Sequence, residues 1–228
     1  MVFPFIAAAF SAVVSAVSTI GPAVAGFCAN VLPKLGPLLA QGLEALKVVA
    51  QVANAVMQVI GIFKEGESVD GMGDRAMQAA EQGITPDQFD DHAEYVEKLR
   101  SFELDEAKSA KIDPMQKIVS GLAVASAGLD EKFNMSEGAA GGLWVLAGAN
   151  PDYFNADRLT QFLKTGQDIR SIIDYFEGKI GGSESLEVED ALVELDKTTA
   201  PDQDEKSIRA QIYDAADAVQ NPSDIRKL

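Results

Sequence analysis

The sequence predicts an all-α protein in which an apolar, small-residue-rich helical arm, folded as a hairpin or coiled bundle, precedes an acidic multi-helix body. Three observations carry this. Residues 1–63 contain only three charges, Lys34, Glu44 and Lys47. No segment alternates apolar and polar residues as a half-buried strand does. Helix-start signals recur through the rest of the chain, as in Asp113-Pro114-Met115-Gln116, where a capping carboxylate precedes a first-turn proline and a glutamine follows three residues on. The implied organisation is an oligomerising or membrane-inserting arm at 1–63, an acidic body at 64–180 and a helical tail at 181–228 that is able to dock separately.

Within the arm, Gly21-Pro22, Pro33 and Gly36-Pro37 mark breaks, because proline opens a helix but cannot continue one. The expected pieces are 5–20, 22–32 and 37–63. In the first, Ser11, Ser15 and Ser18 share one side. In the third, Glu44, Lys47, Gln51, Asn54 and Gln58 recur at alternating intervals of three and four residues. They form one polar stripe on an otherwise apolar helix. A repeat near 3.5 residues favours left-handed coiling, and a few amides in such a seam fix register or stoichiometry.

Three coverings suit the arm: the chain's own core, copies of itself, or lipid with the polar stripe lining a lumen. Pro22 divides the uncharged run Phe5–Val31 into lengths below the ~20 residues of a spanning helix, and alanine gives little drive to insert. The arm has no basic residue before Lys34, so it lacks the n-region of a secretory signal. Phe27 stands where a lipoprotein cleavage box before Cys28 needs a small residue.

In the body, Lys64-Glu65-Gly66-Glu67-Ser68 reads as a linker. Helices are expected at 72–82, 86–100, 114–132, 136–149, 156–165, 168–178, 186–197 and 203–219. Thr85, Asp113, Ser136 and Asn155 supply the caps. Helical spacing places Tyr95, Leu99 and Phe102, then Ile118, Leu122, Ala125 and Leu129, then Leu159, Phe162 and Leu163, and then Ile169, Ile172, Ile173 and Phe176 in the core. Gly181-Gly182-Ser183-Glu184-Ser185 reads as a flexible joint. Glycines weaken the segment 136–144, yet Gly138 and Gly142, one turn apart beside Trp144, permit close helix packing. That packing is either an internal crossing or a docking surface.

The net charge of −16 argues against nucleic-acid phosphates and anionic lipid headgroups. One cysteine, Cys28, and one histidine, His92, leave no Cys-His pair and no histidine-cysteine metal set. His92, among Asp90, Asp91 and Glu94, reads as a solvated surface residue. The run Asp70–Glu81 has the outer spacing of a calcium loop, but Met72 and Arg75 stand where a ligand and the turn glycine belong. Gly71-Met72-Gly73-Asp74-Arg75-Ala76 mimics a dinucleotide fingerprint without a preceding strand, and its glycines read as a turn before a helix. The expectation is therefore no catalytic residue, metal, cofactor or small-molecule substrate.

In general character, an apolar Gly/Ala-rich front joined to an acidic helical body is similar to internal proteins of phage tails and contractile-injection particles, and to some secreted pore-formers. The resemblance is one of composition, covers mainly residues 1–63 and carries no motif. It implies a non-enzymatic structural or assembly protein that forms a homo-oligomer or joins a larger assembly. Such a protein is particle-associated, or secreted without a cleavable signal, after synthesis in the cytoplasm. The alternatives are a membrane-inserting effector or pore-former, and an acidic adaptor for a hydrophobic or basic protein partner.

Overall fold

Capping side chains and glycines set where the helices begin and stop. The computed structural model describes residues 3–166 and 168–221, with side chains from Phe10 onward. All regular structure among these residues is helical, and the chain divides into two compact units, Met1–Gly148 and Ala149–Leu228. This division falls at neither 63/64 nor 180/181.

The first unit contains α1 (Phe3–Ser18), a 3-10 turn (Pro22–Val24), α2 (Ala25–Asn30), α3 (Gly36–Gln41), α4 (Leu43–Ile60) and α5 (Val69–Glu81). A second 3-10 turn (Pro86–Gln88), α6 (His92–Ser101), α7 (Glu106–Ser109), α8 (Pro114–Lys132), a third 3-10 turn (Ala139–Gly141) and α9 (Gly142–Ala149) follow. The expected helix 37–63 is split because Gly42 adopts φ 97°, and it stops at Ile60 because Gly61 is left-handed at φ 80°. Thr85 opens only the short 3-10 turn; Asp91 caps α6 instead, accepting from Glu94 N at 2.8 Å. Asp113 caps α8 in a full capping box with Gln116, as its spacing predicts. Ser136 caps no helix, since Gly138 turns left-handed at φ 80° and α9 starts only at Gly142.

Helix α8 lies at the centre of this unit: twelve of its nineteen residues are buried, and α1, α4, α5 and α6 all pack on it. Its crossing with α5 is the tightest. A Cβ on Gly73 would lie 2.0 Å from Lys117 O, and one on Gly121 would lie 1.7 Å from Val69 O. The glycines of 71–73 are thus not a turn before a helix but lie within α5, where Gly73 lets two backbones meet. The arm joins the same core. Val13, Val17, Ile20, Val24, Phe27, Leu32, Leu35, Leu46, Val49, Val56 and Met57 are each buried, while Ser11, Ser15 and Ser18 face out. Gln116 Nε2 donates to Ala12 O at 3.2 Å, and Gly26 N donates to Glu137 Oε1 at 2.7 Å, so polar contacts also tie the arm down.

The segment after α4 is ordered rather than a free linker. Arg100 donates to Ile62 O at 2.7 Å and to both Glu67 oxygens at 2.6 and 3.0 Å. Ser68 then caps α5, accepting from Gly71 N.

The second unit holds α10 (Ala156–Lys164), α11 (Ile169–Phe176), α12 (Gly182–Thr199) and α13 (Glu205–Gln220). Asn155 caps α10 as its sequence context predicts, whereas α12 begins at Gly182, inside the expected flexible joint. Phe154 and Phe176 meet edge-to-face at 4.7 Å, with Tyr153 beside both. The Arg158 guanidinium lies 3.9 Å over the Tyr153 ring and 2.6 Å from Asp196 on α12. Arg209 of α13 pairs with Glu189 and Asp190 of α12, and this fixes one side of α12 against α13.

Candidate protein-docking site

The polar stripe on α4 divides in two. Asn54 Oδ1 accepts from Val69 N at 2.6 Å and Gln58 Nε2 donates to Glu67 O at 3.2 Å, so its far end holds the start of α5. Glu44 and Lys47 pair with each other at 2.8 Å in solvent, and Gln51 is exposed. The helix is wetted more widely than one line, because Val48 and Val59 are 40% and 56% exposed. Helix α4 is long and apolar enough by composition to cross a membrane, but Leu46, Val49, Ala50, Ala53, Val56, Met57 and Ile60 are buried within the protein.

Around Trp144 the close packing is internal. A Cβ on Gly138 would lie 2.5 Å from Gly26 C in α2, and one on Gly141 would lie 2.5 Å from Val31 Cγ2. Gly142 is buried beside them. Trp144 is fully buried and donates from Nε1 to Ser126 Oγ at 2.9 Å; Ser126 in turn donates to Leu122 O.

Three buried polar nodes bear on chemistry. Asp74 bonds Lys117 Nζ at 2.7 Å, Gln78 Nε2 at 2.9 Å and the Ser109 hydroxyl, while Lys117 also donates to Ser109 Oγ at 2.8 Å. Burial pushes the Asp74 carboxyl up, but the donors outweigh it and hold the group below the usual carboxylate range. The serine and lysine are thus engaged by a carboxylate, and the node joins α5, α7 and α8. Lys117→Met is expected to cost about 3–5 kcal/mol by stranding Asp74. Urea unfolding should show a smaller loss when Asp74→Leu accompanies it.

The other two nodes are His92 and Asp130. His92 is not solvated: it is 8% exposed, because the absent side chain of Gly128 makes room for its ring. A Cβ at that glycine would lie 2.9 Å from His92 Nε2. Burial lowers the His92 imidazole from its ordinary 6.5 to about 4. Asp130 accepts from Gly138 N at 2.6 Å and Ala140 N at 2.7 Å. Burial, against these two donors, raises its carboxyl from 3.8 to about 6.

The two groups oppose each other in pH dependence. As pH falls from 6.5 to 4, the unfolded chain protonates its histidine and the native one does not, so stability is lost. As pH falls from 6 to 3.8, native Asp130 takes up a proton first, so stability is gained. Each effect is on the order of 3 kcal/mol. Acidification from pH 7 to 4 is expected to weaken Asp130→Asn and strengthen His92→Leu relative to the parent, as read from urea midpoints by Trp144 fluorescence.

Among the described residues no group of histidine, cysteine and carboxylates is arranged to hold a metal ion. Cys28 is half-buried, and burial pushes its thiol up, away from a reactive thiolate.

One concavity lies in the second unit, where the start of α11 and one face of α12 border about 440 Å³; another, of about 300 Å³, lies in the first unit beside His92 and Asp130. Buried Ile172 and Leu192 form the floor of the larger one, and half-buried Val188, Ala191 and Leu195 line the α12 wall. Exposed Glu184, Glu187 and Glu194 edge one side and Asp168 the other; Thr165, Ser171 and Thr198 complete the rim. The Asp168 side chain accepts from Arg170 N and so caps α11. Helix α12 carries six acids and one lysine, Lys197, which lies 3.5 Å from Glu194 and 3.0 Å from Glu205. No motif in the sequence marks this groove, and its one local signal is that Val188, Ala191 and Leu195 repeat at three and four residues beside Glu187 and Glu194.

No protein-family model, curated protein or solved structure matches the chain.

Proposed function

We propose that this is a non-enzymatic assembly protein whose second unit docks a protein partner in the groove between α11 and α12. The observation that carries this is a concavity with an apolar floor and an acid-edged rim, built on helices, in which the Ser171 hydroxyl donates to Asp168 at the α11 cap. The composition of residues 1–63 favours an internal or tail-type component of a phage or contractile-injection particle as the setting, where such a unit would link one component to another.

Panning a random peptide library against the full-length chain, followed by amide hydrogen exchange, tests the reading. Selected peptides are expected to slow exchange in 165–172 and 184–198. Peptides that protect only the first unit, or no selection at all, would overturn it. Capture of the chain by neutral or anionic vesicles would favour the membrane-inserting alternative instead.

A further inference from the structure

We infer that the ligand of the α11–α12 groove is an amphipathic helix of about four turns, with heptad-spaced apolar residues and lysines or arginines on their flanks. This deepens the docking reading and rests on it. Of the eight α12 residues that line the groove, the half-buried apolar ones, Val188, Ala191 and Leu195, are separated by three and four residues. That is the spacing of one seam of a coiled coil, and the seam lacks a second helix along its open side.

One neighbouring face of α12 is buried in the unit, and another, carrying Leu186 and Asp190, is open to solvent. Leu192 and Val193 are buried within the unit, and Glu189 and Asp196 are held by Arg209 and Arg158. The groove-lining face is about 21 Å long, from residue 184 to 198 at 1.5 Å per residue. A partner helix of about fourteen residues matches that length. Ala191, small and central in the seam, leaves room for a large apolar side chain from the partner.

Charge selects the partner's flanks. Glu187 and Glu194 are seven residues apart, so they occupy the same flanking position in successive heptads. Both are exposed. Glu184 extends the acid edge and Asp168 stands across the groove, so a partner with basic flanks finds a carboxylate on either side. An acidic helix meets like charge along the whole length, and anionic lipid is disfavoured for the same reason. An extended peptide has no sheet edge to join, because both walls are helices.

Three synthetic peptides share one apolar heptad pattern: one flanked by lysine, one by glutamate, and a lysine version broken by a central proline. Each is titrated into the full-length protein by fluorescence anisotropy at low and high salt, and amide exchange locates the bound site. The lysine peptide is expected to protect 184–198 and to bind about tenfold or more tightly than the glutamate peptide at low salt, with the ratio shrinking as salt rises. Glu187→Lys with Glu194→Lys, both on exposed positions, should reverse that preference. The proline version should lose most of its affinity.

Equal binding of the lysine and glutamate peptides within 184–198 would overturn the charge preference and leave the docking reading standing. Equal binding of the proline version would overturn the helical one. Protection confined to the first unit, or no binding by any peptide, including those selected by panning, would overturn both.

Discussion

Replacing Gly121 with alanine is expected to remove most of the first unit's stability. The added Cβ would lie 1.7 Å from Val69 O and 2.5 Å from Val69 C, both backbone atoms that no side-chain rotation can move aside. The helices α5 and α8 must separate, and the same crossing holds Gly73 against Lys117 O. Overpacking of a flexible side chain costs about 1–3 kcal/mol, and a backbone collision belongs above that range. Gly36→Ala is the matched control, since nothing lies within 4 Å of the added carbon. Urea unfolding followed by Trp144, the single tryptophan, reads the first unit directly. A midpoint for Gly121→Ala equal to that of Gly36→Ala would mean that the two helices do not approach so closely.

Removal of residues 1–63 is expected to leave the remainder of the first unit without cooperative structure. Val17, Ile20, Phe27, Leu32, Leu46, Val49, Val56 and Met57 are buried, and α1 and α4 pack on α8. At roughly 1.5–3 kcal/mol for each large apolar side chain, the burial forfeited is as large as or larger than the ~5–15 kcal/mol of net stability typical of a domain. The truncated chain should bind a hydrophobic dye and show a broad, early loss of fluorescence at Trp144. The second unit should keep its own helical signal, because its core draws on Phe154, Phe162, Phe176 and Ile212. A sharp unfolding transition at Trp144 in the truncated chain would instead restore an arm that is separable from the rest.

Local chemistry was legible and tertiary approach was not. Asp113 and Asn155 announce α8 and α10 because a capping side chain acts within three residues of itself. The arm's apolar period continues across position 42, and only its glycine backbone at φ 97° shows the break. Gly73 and Gly121 lie 48 residues apart, and nothing near either one announces that they meet. His92 misled for a similar reason: its neighbours are acidic, but the ring fits beside Gly128, far along the chain. The groove is an intermediate case. Its α12 wall is written in consecutive heptad positions, but its other wall comes from α11 and needs the fold.

The dependence of the arm on α8 also has a clock. Residues 1–63 are synthesised before Pro114–Lys132, the helix that covers them, has been made. At about 5–20 residues per second, the 69 residues between Phe63 and Lys132 take roughly 3–14 seconds to add. For that interval the apolar arm must either wait in the ribosomal exit path and with its attendant chaperones, or risk meeting the arm of a neighbouring nascent chain.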